Sequence, residues 1–70
     1  MIWIQVIIFV ISNAPAMYRA IKEMIRLWRG DPEVARALLA ELKASKANPR
    51  VSEGDQLGDY QRIIDKYREV

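Results

Sequence analysis

The chain begins with a long apolar stretch and continues with alternating apolar and charged positions. Residues 2–11 are apolar except for Gln5, and only Ser12 and Asn13 add polar side chains before Tyr18. An 18-residue helix spans about 27 Å, slightly less than the roughly 30 Å hydrocarbon core of a bilayer. The pattern therefore predicts a membrane-spanning or membrane-embedded apolar helix over residues 1–18.

Pro15 interrupts this predicted helix. Proline has no amide proton, and its ring clashes with the carbonyl four residues back, here that of Ile11. Ser12 and Asn13 could instead cap a new helix. A break at bilayer depth would leave backbone groups unpaired in lipid, so we expect one Pro-kinked helix that continues past Pro15, with two separate helices as the alternative.

The next segment, residues 19–29, has the pattern of a juxtamembrane basic amphipathic helix. At 100° per residue its four positive side chains and Glu23 share one arc, and the opposite arc is apolar and includes Met24 and Trp28. Such a helix is typical of a membrane interface. The alternative is an ordinary helix whose apolar face packs on the later helices.

Aromatic and basic residues at the ends of these segments indicate a membrane orientation. Trp3 and Tyr18 lie near the two ends of the apolar stretch, and positive charge begins directly after it, which predicts an outside N-terminus and a cytoplasmic C-terminus. The predicted membrane-interface residues are Trp3, Tyr18, Arg19, Lys22, Arg26, Trp28 and Arg29.

Residues 30–70 are predicted to form a polar helical hairpin. In the run Gly30-Asp31-Pro32-Glu33, glycine closes one helix, aspartate caps the next, and proline and glutamate suit its first turn. Asn48-Pro49 ends that helix near Lys46, and Ser52 with Asp55 begins a last helix that ends near Glu69.

Apolar residues of the last helix recur at three- and four-residue steps and should face the leucines of the preceding helix. Its charged residues, such as Asp59 and Arg62, are expected to form weak surface pairs. The residues predicted to pack against a partner helix are Gln5, Phe9, Ser12, Leu57, Tyr60, Ile64 and Tyr67. The predicted fold class is all-α.

The amino-acid composition excludes several classes of functional site. The 70 residues include no cysteine and no histidine, so disulfides, thiolate metal sites and the commonest general base are absent. We expect no enzyme, no cofactor and no small-molecule substrate, since three short polar helices do not enclose a catalytic cavity. Nucleic acid is not expected as a partner, because the chain beyond Arg29 is neutral to acidic.

Three other interpretations of the first segment stay open. Ala14-Pro15-Ala16 resembles a signal-peptide cleavage site, although no basic residue precedes the apolar run. Residues 2–11 could form a β-strand, which would need a neighbour from another chain. They could also form a helix buried in a larger protein assembly. In each case we expect the stretch to be shielded by something other than its own chain.

These patterns predict a small single-pass membrane-anchored structural or accessory subunit. Its partners would be the lipid bilayer and either other membrane-protein subunits or copies of itself, and its hairpin would cover the cytoplasmic surface of a larger complex. The alternatives are a self-assembling membrane-active protein (a lysis, pore-forming or curvature-binding protein) and a soluble homo-oligomer that uses residues 2–11 as an intermolecular strand or core helix.

Overall fold

Helices form almost the whole chain. The computed structural model describes residues 2–29 and 31–69, in which the elements are α1 (Ile2–Asn13), a 3₁₀ turn (Pro15–Met17), α2 (Tyr18–Trp28), α3 (Pro32–Ala47) and α4 (Glu53–Arg68). The all-α prediction is confirmed. The β-strand alternative for residues 2–11 is wrong, because this stretch is helical and the described residues contain no strand to pair with it.

The expected continuity of the helix through Pro15 is wrong. α1 ends at Asn13, and Ala14 adopts φ −151° and ψ 63°, outside the helical region. A proline ring disfavours the helical conformation in the residue before it. The amide of Ala14 still donates to the carbonyl of Val10 at 2.7 Å, and the amide of Met17 donates to the carbonyl of Ala14 at 2.9 Å. One residue therefore separates two helical segments.

The last two helices begin where predicted, but the predicted side-chain cap forms only at α3. The Asp31 carboxylate accepts a hydrogen bond from the amide of Glu33 at 3.1 Å, and Pro32 occupies the first turn of α3. The predicted role of Gly30 lies outside the described residues. α4 begins directly after Ser52, whose hydroxyl bonds the Asp55 carboxylate at 2.8 Å instead of capping a backbone amide.

α3 and α4 form the predicted antiparallel pair. Ser45 in the last turn of α3 bonds Asp59 in the first half of α4, whereas Glu41, four residues earlier in α3, bonds Tyr67 in the last turn of α4. The expectation that Leu57 faces the leucines of α3 is wrong, because its side chain is 45% exposed. It lies at the level where α3 presents Ser45, which bonds the neighbouring Gln56.

α1 packs on the hairpin, mainly on α3. Its inward face is buried, with Trp3 3%, Val6 0% and Val10 1% exposed. The radius of gyration of 11.2 Å is close to the roughly 11 Å of a folded domain of this length. For this face, the expectation of shielding by something other than the chain itself is wrong, because α3 and α2 of the same chain pack against α1.

The transmembrane part of the fold prediction stays unconfirmed. Across residues 2–29 and 31–69, no helix is both long enough and apolar enough to cross a bilayer.

Candidate functional site

The outward face of α1 carries an uncovered row of isoleucines. Ile4, Ile8 and Ile11 are 51%, 58% and 53% exposed, and their four- and three-residue spacing places them on one helix face. We call these three residues the isoleucine stripe. Ile8 also borders a shallow groove between α1 and α3, whose other wall includes Leu39 and Lys43. An exposed apolar row of this kind is a candidate surface for contact with protein or membrane.

α2, which follows α1 in the chain, has a basic surface. The basic face is defined by four exposed residues, Arg19, Lys22, Arg26 and Arg29. None of the four forms an ion pair with a carboxylate among the described residues. Glu23, the acidic residue of α2, is bound instead by Arg68 of α4 at 2.9 Å. The positive charge of the basic face is therefore not neutralised within this part of the chain.

The apolar face of α2 packs against other helices of the molecule. Ile21 and Met24 are fully buried, and the indole nitrogen of Trp28 donates to the carbonyl oxygen of Tyr67 at 3.2 Å. This matches the interpretation in which the apolar face packs on the later helices. The basic face alone stays available to a partner, apart from Leu27, which is exposed beside Arg26.

The predicted aromatic anchors lie in three different environments. Trp3 lies in the core, and its indole N–H finds no acceptor among the described residues. Trp28 is half-buried against α4, as its hydrogen bond shows. Tyr18 is exposed, with Lys22 above its ring at 5.6 Å from the centroid. Of the three, only Tyr18 lies at the surface together with the basic face.

The residues predicted for partner-helix packing also lie in different environments, some exposed and some in the core. Gln5 and Ser12 are exposed on α1 beside the isoleucine stripe. Phe9 is half-buried and meets the ring of Tyr60 edge-on, with centroids 5.8 Å apart. Tyr60 and Ile64 are core residues, and Tyr67 is half-buried. The exposed Gln5 and Ser12 are the ones that a partner could reach from the stripe.

Two polar clusters join α3 to α4. In the first, the hydroxyl of Ser45 donates to Asp59 and accepts from the amide of Gln56 at 2.7 Å. Hydrogen bonds from Ser45 and Arg62 lower the pKa of Asp59 below its ordinary value. The sequence pattern predicted Asp59 as a surface charge paired with Arg62 and did not indicate its contact with Ser45. Ser45 follows Leu38 and Leu42 on one apolar line, and a polar residue on such a line was the available signal.

The second cluster centres on Glu41, which accepts from the Lys66 ammonium at 2.6 Å and from the Tyr67 hydroxyl. Burial by itself would raise the pKa of Glu41, but these hydrogen bonds outweigh it and lower the pKa. Burial and the bond to Glu41 raise the pKa of Tyr67 to about 12. Burial also raises the pKa of Tyr60. Glu41, Lys66 and Tyr67 satisfy one another's hydrogen bonds, which is the arrangement of a structural contact.

Neither cluster provides metal ligands, since no group of three or more acidic side chains converges within residues 2–29 and 31–69. Comparison of the chain with protein-family models, curated proteins and solved structures gave no match. Function is therefore inferred from the isoleucine stripe and the basic face.

Proposed function

We propose that this chain is a small membrane-anchored structural or accessory protein. The isoleucine stripe and the basic face meet an anionic bilayer, and the α3–α4 hairpin lies on its cytoplasmic side. The proposal is supported mainly by the occurrence, in consecutive helices, of an exposed uncharged aliphatic row and four positive charges without acidic partners. Acyl chains accommodate the first and anionic headgroups attract the second.

The magnitudes indicate that both surfaces are needed. Each basic residue near an anionic leaflet contributes up to about 1 kcal/mol, so the basic face contributes up to about 4 kcal/mol. Completing the burial of three half-exposed isoleucines adds roughly 1 kcal/mol each. A total of about 7 kcal/mol corresponds to an apparent Kd of roughly 10 µM. Losing either contribution would leave binding too weak to hold the protein at a membrane.

An accessory role fits the polar residues that flank the stripe. Gln5 and Ser12 are exposed beside Ile8, and amide and hydroxyl groups form hydrogen bonds between helices within membranes. They suit contacts with a transmembrane helix of a partner subunit, while the hairpin covers the partner's cytoplasmic surface. Spanning the bilayer as a single-pass protein would additionally require α1 to leave the hairpin.

The test is co-flotation with vesicles of anionic or zwitterionic lipid. One variant replaces the stripe (Ile4→Ser, Ile8→Ser and Ile11→Ser), and a second replaces the basic face (Arg19→Gln, Lys22→Gln, Arg26→Gln and Arg29→Gln). Leu57→Ser with Arg36→Gln is the matched control, because it removes an exposed apolar side chain and an exposed positive charge from the hairpin.

We expect the unsubstituted chain and the control to float with anionic vesicles, and each test variant to lose about tenfold or more in affinity. High salt should weaken binding of the unsubstituted chain, because it screens headgroup attraction. The proposal fails if the chain does not bind anionic vesicles, or if both test variants bind them as well as the control does.

Self-association is a second candidate function, favoured by the absence of charge from the isoleucine stripe. Ile4 and Ile11 lie on either side of Ile8, so the stripes of two antiparallel copies could pack without electrostatic repulsion. Sedimentation in detergent-free buffer would then show an oligomer that the stripe variant dissociates. Leakage of dye from vesicles would point to the membrane-active form of such an assembly.

A further inference from the structure

α1 is attached to the molecule by a different kind of contact from the other helices. Among the described residues, side-chain hydrogen bonds and ion pairs between helices join α2 to α4 and α3 to α4, as in Glu23 with Arg68 and Ser45 with Asp59. The side-chain hydrogen bond of α1, from Asn13 to the carbonyl of Phe9 at 2.9 Å, stays within α1. Its docking on the hairpin is apolar, with Lys46 5.9 Å from the centroid of the Phe9 ring.

A bilayer can replace apolar contacts but not the directional ones. Acyl chains are as apolar as the leucines of α3, so an apolar helix loses little when it exchanges protein for lipid. A carboxylate or hydroxyl that loses its partner on entering lipid is penalised heavily. Of the interhelical contacts in residues 2–29 and 31–69, those of α1 are therefore the ones that a membrane can take over.

Trp3 gives an independent indication that α1 is not in its most stable environment when it is docked on α3. The side chain is 3% exposed, and its indole nitrogen has no acceptor among the described residues. Buried indole N–H groups usually find a partner, and an unpaired one destabilises the folded state. At a membrane interface, the same group reaches headgroup oxygens and water.

The connection after α1 allows the helix to move as a unit. Ala14 alone separates α1 from the 3₁₀ turn, and its backbone is outside the helical region. A change of the two backbone angles at this residue would redirect α1 without unwinding α1 or α2. The surface that α1 would leave includes Leu39 and the ring of Tyr60, so the released state requires acyl chains to cover these apolar groups.

We infer that α1 is a releasable membrane-inserting helix. On an anionic bilayer it turns about Ala14, leaves α3, and brings its second face of Trp3, Val6 and Val10 into contact with lipid, while α2, α3 and α4 stay joined. The inference rests on the proposed membrane association and extends it, because in the docked position α1 would meet the bilayer only through its isoleucine stripe.

The test uses the emission of Trp3 with lipids that carry bromine on their acyl chains. Trp28→Phe leaves Trp3 as the remaining tryptophan, and Trp3→Phe is the matched control that leaves Trp28, the α2 residue that is hydrogen-bonded to α4. We expect brominated anionic vesicles to quench Trp3, and to leave Trp28 unquenched. If Trp3 keeps its emission while the protein floats with the vesicles, the release of α1 is wrong and the proposed function stands. If the protein does not float, the proposed function itself fails.

A second measurement does not depend on replacing Trp28. The chain contains no cysteine, and Ser12 and Lys43 are exposed residues facing one groove between α1 and α3. With Ser12→Cys and Lys43→Cys, a short bis-maleimide should link the two helices in buffer, and anionic vesicles should suppress the link. Efficient linking on vesicles would overturn the inference. Protein linked beforehand should still float through its stripe and basic face.

Discussion

α1 and α4 both pack on α3, yet they are attached by different means. α4 buries Tyr60, Ile63 and Ile64 and adds hydrogen bonds from two polar clusters. α1 is the most apolar helix, but it buries one face and contributes no directional bond to the hairpin within the described residues. The comparison shows that the apolar content of a helix predicts that it is buried. It does not predict which neighbour the helix packs on or how strongly it is bound there, because apolar contacts are non-directional.

The largest expected effect tests the packing of α4 on α3. Ile64→Ala removes a fully buried side chain of α4 and should lower the free energy of unfolding by about 2–5 kcal/mol. Urea denaturation followed by circular dichroism measures this change. Leu57→Ala, at an exposed position in the same helix, is the control and should change stability much less. Equal effects of the two substitutions would show that α4 is not packed as described.

Asp59→Ala tests the polar contribution to the hairpin. It leaves the hydroxyl of buried Ser45 without its acceptor, which should cost about 1–3 kcal/mol. Because the folded-state pKa values of Asp59 and Glu41 are lowered, both carboxylates stabilise the fold above their ordinary pKa of about 4. That stability is lost as pH falls through the lowered values. Acid titration of Asp59→Ala should therefore show a smaller loss than the unsubstituted chain.

Tyr67→Phe tests the same hairpin at alkaline pH. The substitution removes the hydrogen bond to Glu41 and should cost about 1 kcal/mol at neutral pH. Because the folded-state pKa of Tyr67 is raised to about 12, its neutral form stabilises the fold below its ordinary pKa of 10.0. This contribution is lost as pH rises from there towards 12. The variant should unfold less steeply in this range, and an unchanged alkaline transition would contradict the assigned contact.

The smallest expected effect concerns α1. Lys46→Ala removes the cation above the ring of Phe9 and should weaken the docking of α1 by about 0.5 kcal/mol, the usual size for an exposed cation–π contact. Amide hydrogen exchange should become faster in α1 and stay unchanged in the middle of α3. A loss of 2 kcal/mol or more, well above that roughly 0.5–1 kcal/mol range, would show that α1 is held by a directional contact after all.

The helices themselves were predictable because their signals are local. Asp31 and Pro32 mark the start of α3, and Asn48-Pro49 follows its end, so short-range geometry sets these boundaries. The break at Ala14 depended on a balance between the steric effect of Pro15 and the cost of interrupting a helix in lipid. The assumed bilayer shifted that balance towards continuity. In the described structure, the steric effect of Pro15 decides it.

The isoleucine stripe was harder to predict than the basic face. On α2, charge and apolar residues alternate with a helical period, so the exposed face follows from the sequence.

The contact between Ser45 and Asp59 could not be predicted from the sequence. The two residues lie 14 positions apart in the chain, and no local pattern connects them. Their contact appears only when α3 and α4 fold back on each other, as does the bond from Trp28 to Tyr67.

By itself, the sequence determined the all-helical class, the starts of α3 and α4 and the basic face of α2, because these depend on neighbours within one or two turns. Only the tertiary structure decided which side of α1 is buried. That helix is apolar on nearly all sides and gives no periodic signal for choosing a face. The shape of α3 and α4 therefore selected Trp3, Val6 and Val10 for the core and left Ile4, Ile8 and Ile11 outside.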